Sequence, residues 1–454
     1  MKLISVKTKE LHKYITTKIT FNDELSIITG VNGSGKTSIL KLIESVLRLD
    51  IKKLNSTSFS VFQITLEFRE KQYEILLEKK RPDIDTAMTF SVNGEKISIE
   101  AINKPKSLFG NRGAALTDFV ETYEKKILND DSSFNLFSKI NPPLLIGLNR
   151  RVPRKRYASL EDNEIFDHHE YNPFEENEQN EIDSFDVALS DCKKLITSEF
   201  KRIKRYESIK INDLRNNIIS SSFTYIDKFD DIVGIKSKMA SRISEIRGRK
   251  NEILEVLNNI DSKDSSLSFM SASFFEKIET LYNKEIVNKS NDPDNLQFTF
   301  EYILNITQVE RIFSLVKIID KHKSELDFKR RKLDLFERVV NSFFEQTDKI
   351  LIINSIGGIH VKIKDSSHKI EIDELSSGEK QLVIIIANMV FSTRYNMSNI
   401  IIDEPEISLH IKWQDMFISA LREINTDIQM ILATHSPDII GDYDDCCTPI
   451  EKWS

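Results

Sequence analysis

The chain has 454 residues, of which 40% are hydrophobic and 30% are charged. A globular domain usually holds roughly 100–200 residues, so we expect two or three structural units. No apolar run approaches the ~18 residues that a membrane span requires, which excludes a membrane-spanning transporter. Acidic residues outnumber basic ones by 71 to 64, so the net charge is −7 and any nucleic-acid site must be a local basic patch.

The amino terminus and the cysteines indicate where the protein works. The segment Met1–Val6 lacks the long apolar stretch and the small-residue cleavage site of a secretory signal. Cys192, Cys446 and Cys447 form no CxxC pair, so neither a disulfide framework nor a zinc site is predicted. We therefore expect a cytoplasmic protein with no membrane partner, whose cysteines serve in packing.

Residues 1–150 predict the first half of an α/β domain. The segment before the glycine-rich loop predicts three short strands, Leu3–Val6, Ile15–Phe21 and the buried run Leu25–Thr29. The loop and a helix that begins near Thr37 follow the third strand. Further strands are predicted at Val61–Phe68, Tyr73–Leu77, Thr89–Ile97 and Pro142–Leu148. The first three of these favour an antiparallel β-subdomain.

Residues 151–194 predict a mobile loop whose charge changes sign along the chain. A basic run over residues 149–156 gives way to acidic residues between Glu161 and Asp186, with few aliphatic side chains. Asp167-His168-His169-Glu170 lies inside this acidic segment, where solvated charge is favoured over a metal site.

Residues 195–351 predict a helical insertion. Apolar residues recur at heptad-like spacing from Ile235 to Ile260 and again from Val309 to Val340. We expect the two series to pair antiparallel as a short coiled-coil arm, with the polar segment Asp261–Asp294 at its tip. Helices of an ordinary bundle remain the alternative, because neither series runs much beyond ~4 clean heptads.

Residues 352–454 predict the second half of the α/β domain. Strands are expected at Ile359–Ile363, Ile370–Ile372, Asn399–Ile402 and Gln429–Ala433, and a helix is expected from Ser377. The last two strands are short, continuous apolar runs. Such runs are typical of parallel strands that are covered on both faces.

A phosphate-binding loop is predicted directly after the third strand. Its sequence, Gly30-Val31-Asn32-Gly33-Ser34-Gly35-Lys36-Thr37, matches GxxxxGK[ST] between a strand and a helix. Glycines are needed because the loop turns tightly and presents backbone N–H groups to phosphate oxygens. Lys36 is expected to reach the β- and γ-phosphates and Thr37 to ligate Mg²⁺. The residues predicted to bind nucleotide here are Asn32, Gly33, Ser34, Gly35, Lys36, Thr37 and Ser38.

Two carboxylates follow the buried strand that begins at Asn399. In Ile400-Ile401-Ile402-Asp403-Glu404-Pro405-Glu406, Asp403 is predicted to hold the Mg²⁺ water shell. Glu404, one residue further, is predicted to polarise the attacking water. Alone, this acidic pair would equally suit the start of a helix, but the phosphate-binding loop favours the catalytic interpretation.

Two further segments indicate the class of ATPase. Leu375-Ser376-Ser377-Gly378-Glu379-Lys380-Gln381 resembles the ABC-ATPase signature, a Ser-Gly turn at a helix N-terminus that binds a γ-phosphate. Ala433-Thr434-His435-Ser436-Pro437 follows a strand and resembles the switch-histidine segment, so His435 is predicted to be catalytic. The signature residues predicted to contact nucleotide are Ser376, Ser377, Gly378 and Glu379.

The four motifs, in this order, resemble those of ABC-type ATPase heads of the SMC, RecF and OLD-like group. The resemblance covers both α/β segments and implies an α/β P-loop NTPase head with an antiparallel β-subdomain and an inserted helical arm. It implies ATP and Mg²⁺ as cofactors, and a head-to-head homodimer in which the signature acts in trans. Each site then takes Lys36 and Glu404 from one chain and Ser377 and Gly378 from its partner.

Two positions depart from the pattern of that group. His410 stands where the D-loop more commonly has an acidic residue. No glutamine is identified for the Q-loop, because Gln63 lies in a strand pattern and the loop after Leu148 offers asparagine and arginines.

Three segments have sequences that resemble the stand-alone ATPase subunits of bacterial anti-phage systems, of the Septu and PARIS types, more closely than a chromosomal SMC protein. These segments are Asp403–His410, Trp413-Gln414 and Ala433–Pro437. Such subunits work beside a separate nuclease. The 19 residues after His435 are too few for the Toprim nuclease domain of OLD-like enzymes. We therefore expect a slow ATPase whose nucleotide-dependent head dimerisation scaffolds and regulates a separate nuclease effector in anti-phage defence. A higher oligomer, and DNA or a phage protein as trigger, are left open.

Two other functions are weighed against this one. An SMC- or RecF-like ATPase of DNA repair would bind DNA near the base of the arm, where a basic run could touch phosphates. That run comprises Lys201, Arg202, Lys204 and Arg205. A solvated helix surface is the favoured explanation of this run. The soluble ATPase of an importer is disfavoured by the long helical insertion.

Overall fold

The computed structural model describes residues 1–84, 86–100, 127, 133–147, 184–222, 242, 244–253, 273–277, 280, 300–364, 369–392 and 399–453. These residues form two compact units, one of residues 1–198 with 332–454 and one of residues 199–331. Several predictions lie outside the described residues. They are the charged loop up to residue 183 with its Asp167-His168-His169-Glu170 segment, most of the first heptad series and most of the predicted tip of the arm.

All the strands that the structure describes belong to the first unit. In chain order they are β1 (Lys2–Leu11), β2 (Ile15–Thr20), β3 (Leu25–Thr29), β4 (Val61–Phe68), β5 (Lys71–Lys79), β6 (Met88–Val92), β7 (Glu95–Ile99), β8 (Leu144–Ile146), β9 (Lys349–Ile353), β10 (Ile359–Ile363), β11 (Lys369–Glu371), β12 (Asn399–Asp403), β13 (Gln429–Ala433), β14 (Cys447–Pro449) and β15 (Glu451–Lys452). They form a seven-stranded sheet in the order β15-β2-β1-β4-β5-β6-β7, a five-stranded sheet in the order β14-β3-β13-β12-β8, and a three-stranded sheet in the order β11-β10-β9.

The helices are distributed over both units. In chain order they are α1 (Lys36–Leu47), α2 (Ile51–Ser56), α3 (Leu136–Lys139), α4 (Ser184–Ser222), α5 (Phe300–Phe344), α6 (Ser377–Ser392), α7 (Ile411–Ile424) and α8 (Pro437–Ile440). In the described part of the chain, no helix combines the length and the apolar character needed to cross a membrane.

The seven-stranded sheet is the predicted antiparallel β-subdomain, and its strands pair antiparallel throughout. One strand prediction was wrong, because Thr89–Ile97 is a hairpin and not one strand. Strands β6 and β7 are joined at Asn93 and Gly94, whose φ angles are 49° and 88°. An Asn-Gly pair adopts the left-handed conformation that a tight hairpin turn requires.

The five-stranded sheet is parallel throughout the described residues. Every residue of β12 and β13 is buried, and so are the first four residues of β3. Helix α1 packs its apolar residues, among them Ile39 and Ile43, into one core with Ile401 and Ile431 of this sheet. The prediction of buried parallel strands from continuous apolar runs is therefore confirmed.

The two long helices, α4 and α5, each extend beyond the second unit, since their outer ends belong to the first. Helix α4 begins at Ser184, inside the segment 151–194 for which a loop was predicted. The second unit, residues 199–331, is therefore shorter than the predicted insertion 195–351.

Within the second unit, residues 244–253 are helical and lie against α5. Arg249 donates to Asp320 and Lys323 donates to Glu252, while Ile253 is buried. On α5, five residues of the second predicted series are buried: Val309, Val316 and Ile319 in the second unit, and Leu333 and Val340 in the first.

Candidate nucleotide-binding site

Three of the four predicted motifs meet at one edge of the five-stranded sheet. Strands β3, β13 and β12 are parallel neighbours, with Ile28 opposite Ala433 and Ala433 opposite Asp403. Because the three strands are parallel, their carboxyl ends lie at the same edge of the sheet. The phosphate-binding loop, the acidic turn after Asp403 and the segment of His435 therefore lie side by side. Open parallel sheets bind their ligands at this edge.

The phosphate-binding loop connects β3 to α1. Gly33 and Gly35 have φ angles of 82° and 90°, which residues with a Cβ rarely adopt. A Cβ on Gly35 would also lie 2.8 Å from Ile15 Cδ1. The other predicted ligands of the loop are exposed (Asn32) or partly exposed (Ser34, Thr37 and Ser38). The loop therefore presents its backbone at the N-terminus of α1, where N–H groups and the helix dipole favour phosphate.

Lys36 is the first residue of α1 and is only 5% exposed. Its Nζ donates to the Gly30 carbonyl oxygen at 2.8 Å and lies 2.5 Å from His435 Nε2. A protonated lysine can only donate, so Nε2 is the acceptor and the imidazole proton is on Nδ1. Burial lowers the pKa of Lys36, and three carboxylates of the neighbouring acidic turn oppose that shift.

Asp403 ends β12 and is buried beside Thr37. The Thr37 hydroxyl donates a hydrogen bond to the Asp403 carboxylate. Burial raises the pKa of Asp403, and this hydrogen bond opposes the shift. The two residues predicted to bind Mg²⁺ are therefore in direct contact.

Buried polar atoms without partners test whether the site fits Mg²⁺ and ATP. Asp403 Oδ1 and Ser34 Oγ are buried and make no hydrogen bond among the described residues. Such atoms cost free energy unless a ligand satisfies them. Oxygen ligands are those that Mg²⁺ prefers, so the residues fit the ion. Asp403 and Thr37 would hold it and Lys36 would contact the phosphates, while the ion would neutralise charge on the transferred phosphoryl group.

Glu404 follows β12 in a strained conformation. Its φ angle is 51°, in the left-handed region, and its N–H donates to the Ala433 carbonyl oxygen at 2.8 Å. Strain of this kind costs about 1–3 kcal/mol and is concentrated at functional sites. The residue is partly exposed, so its carboxylate can face a bound water molecule.

Glu406 also belongs to this site, although the sequence analysis gave it no role. Its Oε1 accepts the backbone N–H of His435 at 2.7 Å. Its Oε2 is buried and has no hydrogen-bond partner among the described residues. The signal in the sequence was a third acidic residue in the Asp403–Glu406 turn.

The predicted signature residues form a second group around the start of α6. Ser376 donates through its N–H and its hydroxyl to Glu379 Oε2, at 2.9 and 2.8 Å. Lys349 Nζ donates to Glu379 Oε1 at 2.7 Å. This is a capping box reinforced by an ion pair, so both oxygens of Glu379 are engaged within the chain. Ser377 is exposed at the first position of the helix.

Gly378 is required by a contact inside the chain. A Cβ at this position would lie 2.1 Å from the backbone oxygen of Ser408, far inside van der Waals distance. Ser408 itself has a φ angle of 74°. The resemblance to ABC-type heads implied that Gly378 contacts a partner's phosphate. In the structure, the Ser408 backbone of the same chain already requires a glycine at this position.

His410, at the predicted D-loop position, is the N-cap of α7, and its Nδ1 accepts the N–H of Lys412 at 3.3 Å. It borders a cavity of about 270 Å³ beside the signature. The cavity is lined by Gln346, Thr347, Ser376, Gly378, Glu379, Ser408, His410, Lys412 and Trp413. Gln63 donates to Glu74 in the antiparallel sheet, so no Q-loop role is assigned to it.

These features define a class of protein, a P-loop ATPase head whose two halves flank a helical insertion and whose first half carries an antiparallel sheet. A family profile described as an AAA ATPase domain matches residues 1–440. The chain therefore belongs to this family of ATPase domains.

The curated relatives include two probable ATPases of retrons and a Septu protein. A region of 261 residues, 53% of this chain, is 26% identical to 49% of the retron Vc95 probable ATPase of Vibrio cholerae serotype O1 biovar El Tor. A region of 149 residues, 28% of this chain, is 24% identical to 27% of the retron Ec83 probable ATPase of Escherichia coli. A region of 90 residues, 17% of this chain, is 31% identical to 23% of the Septu protein PtuA of Bacillus thuringiensis. The chain thus spans half or less of each relative, and the predicted resemblance to Septu-type ATPases is confirmed.

Solved structures similar to this chain include SMC head domains. The Smc head of Pyrococcus furiosus, bound to the C-terminal domain of ScpA, is 12% identical, with a TM-score of 0.40 over 100% of this chain and 96% of that chain. The SMC head of Thermotoga maritima is 11% identical, with a TM-score of 0.38 over 100% of both chains.

Proposed function

We propose that the protein hydrolyses ATP with Mg²⁺ at the carboxyl edge of the five-stranded sheet. The observation that carries this proposal is the contact of Lys36 with His435 beside the Thr37–Asp403 pair. Lys36 binds the β- and γ-phosphates, Glu404 polarises the attacking water, and His435 faces the γ-phosphate. Membership of the AAA ATPase domain family supports this assignment.

Phosphate release by the purified full-length chain tests the proposal. Release is expected to need Mg²⁺, to stop when EDTA removes the ion, and to be lost in Lys36→Ala. Thr37→Ala should bind ATP but show a weakened dependence on Mg²⁺, because the hydroxyl beside Asp403 is gone. Release that persists unchanged in Lys36→Ala would reject the assignment of the site.

We propose further that two heads complete the site, with ATP between Lys36 of one chain and Ser377 of the other. Ser377 is exposed, and the neighbouring turn exposes Ile407 and Ile411, which are 39% and 60% accessible. Exposed apolar side chains beside polar side chains such as Ser377 are typical of an interaction surface. The resemblance of the motifs to ABC-type heads supports the same arrangement.

The wider role that we propose is the control of a separate nuclease effector in anti-phage defence. ATP-dependent pairing of the heads would change the surface that holds the effector and so hold or release it. The support for this role is the similarity to retron ATPases and to a Septu protein.

Co-expression with the product of the neighbouring gene tests this role. We expect the two proteins to copurify and the complex to cleave DNA or RNA to an extent that depends on ATP. The Glu404→Gln variant, which should bind but not hydrolyse ATP, separates control by binding from control by hydrolysis. A neighbouring product that neither binds the chain nor cleaves nucleic acid would remove the support for this role.

A second candidate function is DNA binding by the helical unit. Phe328 is 62% exposed on α5, and Arg331 lies 5.2 Å from its ring centroid. Cations interleaved with an exposed aromatic ring suit single-stranded nucleic acid. Against this, Arg202 pairs with Glu199 and Lys204 donates to Glu207, which neutralises part of the predicted basic run. Salt-dependent DNA binding that falls in Phe328→Ala would favour this second function.

A further inference from the structure

Glu406 lies in the turn after β12 and has no role in the mechanism proposed above. Its Oε1 accepts the backbone N–H of His435 at 2.7 Å. Its own carbonyl oxygen accepts the N–H of Leu409 at 3.0 Å, which holds the turn in shape. The side chain therefore connects the acidic turn directly to the histidine segment.

The residues after His435 are fixed by other contacts. The Ser436 N–H donates to Thr434 Oγ1 at 3.0 Å, and the Ser436 hydroxyl donates to Gln414 Oε1 at 2.5 Å. Glu406 acts at His435 itself, whose Nε2 lies 2.5 Å from Lys36 Nζ. Glu406 therefore contacts the backbone of the residue whose imidazole lies against Lys36.

A carboxylate at position 406 is more costly in free energy to bury than a neutral side chain that could accept the same N–H. Glu406 Oε2 is buried without a hydrogen-bond partner in the part of the chain that the structure describes. A glutamine would accept the same N–H without burying a charge. Hydrogen bonds from a backbone N–H to a charged acceptor are shorter and stronger than those to a neutral one, so the carboxylate holds His435 more firmly.

We infer that Glu406 is a positioning residue for His435, which it holds through Oε1 so that the imidazole faces the end of Lys36 where the γ-phosphate is proposed to bind. The inference rests on the proposed function. Because the carboxylate acts on His435 and not on the phosphates directly, its loss should slow hydrolysis and leave ATP affinity nearly unchanged.

Single-turnover hydrolysis, with ATP affinity measured separately, tests the kinetic part. Glu406→Ala should lower the hydrolysis rate about 10- to 100-fold, the loss expected for one hydrogen bond to a charged group. The KM for ATP should change less than about threefold, since uniform binding is untouched. Glu406→Gln keeps the acceptor and should recover much of the rate. Glu78→Ala, which removes an exposed carboxylate from β5, is the matched control.

A double-mutant cycle distinguishes action through His435 from an independent effect. In a His435→Ala background, adding Glu406→Ala should change the remaining rate less than about twofold, because residues that act through one contact are not additive. Equal losses in both backgrounds would overturn the inference, and so would a wild-type rate in Glu406→Ala.

A spectroscopic readout tests the contact itself. The chain has eight histidines, so selective ¹⁵N-histidine labelling gives a sparse amide spectrum. The His435 amide proton, identified by its loss in His435→Ala, should resonate downfield in the wild type. It should move upfield in Glu406→Ala and return part of the way in Glu406→Gln, whether or not ATP is hydrolysed. An unmoved amide would overturn the inference. Hydrolysis that survives Lys36→Ala would instead reject the proposed function.

Discussion

Lys36 is held in the structure by two groups that a phosphate bound at the proposed site would displace. Its ammonium donates to the Gly30 carbonyl oxygen and to His435 Nε2, and it is almost fully buried. The charge is stabilised by three carboxylates of the acidic turn, which oppose the effect of burial on its pKa. We therefore expect that phosphates at the proposed site would replace these partners of the ammonium without exposing it to water.

Lys36→Ala is expected to weaken ATP binding by at least about 10- to 100-fold, the value of one or two charge-assisted hydrogen bonds. The phosphates lose their buried cation, while the loop keeps its shape through its glycines. Titration with a fluorescent ATP analogue measures the effect. Lys71→Ala, at the exposed first position of β5, should leave the affinity unchanged. Equal affinity of the folded Lys36→Ala variant would remove the phosphate-binding role of the loop.

Glu404→Gln is expected to bind ATP normally and to hydrolyse it about 10²–10⁴-fold more slowly, as loss of a general base usually does. The substitution preserves the size of the side chain and should preserve the turn, which is fixed by the backbone contact with Ala433. Single-turnover rates and ATP affinity, measured on the same sample, separate the two effects. A wild-type rate would move the base elsewhere, with His435 the first candidate.

At the scale of elements, side-chain hydrogen bonds between residues distant in sequence join the strands and turns of the head. Gln429 at the start of β13 donates to the Leu3 carbonyl oxygen and accepts the Leu3 N–H, each at 2.8 Å, which ties the parallel sheet to β1. Gln381 of α6 donates to the Pro405 carbonyl oxygen at 3.1 Å, which joins the signature helix to the acidic turn. This hydrogen bond links α6 to the turn that carries Asp403 and Glu404.

Gly378→Ala is expected to destabilise the head even without nucleotide. Its Cβ would overlap the Ser408 backbone oxygen, and relief of such overpacking typically costs about 1–3 kcal/mol. Thermal unfolding of the nucleotide-depleted protein measures this loss as a lowered Tm. Gly378→Arg is therefore a poor probe of head pairing, and the exposed Ser377 is the better position. An unchanged Tm would mean that the turn around Ser408 relaxes without cost.

The capping box of α6 predicts a pH dependence of stability. Burial alone raises the pKa of Glu379, but hydrogen bonds from Lys349 and Ser376 outweigh burial and hold the pKa below its usual value. A depressed pKa contributes stability above the unfolded-state value of about 4.3, and that stability is lost as pH falls through the folded-state value. Relative to Glu379→Gln, the wild type should be about 1–3 kcal/mol more stable at neutral pH.

Denaturant unfolding of both proteins between neutral pH and about pH 3 measures this difference. The advantage of the wild type should shrink as the pH falls. A constant difference across the range would show that the charge of Glu379 contributes nothing to the cap. Glu78→Gln, on an exposed strand position, serves as the control.

The same elements show what the sequence could predict. Strands β3, β12 and β13 were predicted to within one residue because buried parallel strands are continuous apolar runs, and the loop glycines follow from phosphate geometry. The hairpin at Asn93 was missed although the sequence indicates it. Asn93-Gly94 is a typical turn pair, and the apolar residues change from positions 90 and 92 to positions 97 and 99 across it. The close approach of Ser408 to Gly378 and the contact of Glu406 with His435 join residues that are distant in sequence, so no local pattern indicates them.

At the scale of the whole molecule, the proposed sandwich predicts complementation between two inactive chains. The Lys36→Ala chain lacks the ammonium group that is proposed to contact the phosphates. The Ser377→Arg chain has a bulky side chain at the exposed start of α6. A mixed dimer holds one site with Lys36 from one chain and an intact signature from the other. Mixing should therefore restore part of the ATPase activity that both parents lack, and light scattering should show an ATP-dependent dimer. Full activity of Ser377→Arg as a verified monomer would refute the sandwich.

The strand that carries the phosphate-binding loop pairs with strands that lie about 400 residues further along the chain. Strand β3 lies between β13 and β14, which belong to the segment Gln429–Pro449, and Ile450 lies near Gly30 at the start of the loop. During translation the amino-terminal hairpins can form first, but β3 has neither parallel neighbour until nearly all of this chain has left the ribosome. Contacts of such high sequence separation form slowly. We therefore expect the nascent chain to lack the proposed nucleotide site until residues 429–449 have been synthesised and have joined the sheet.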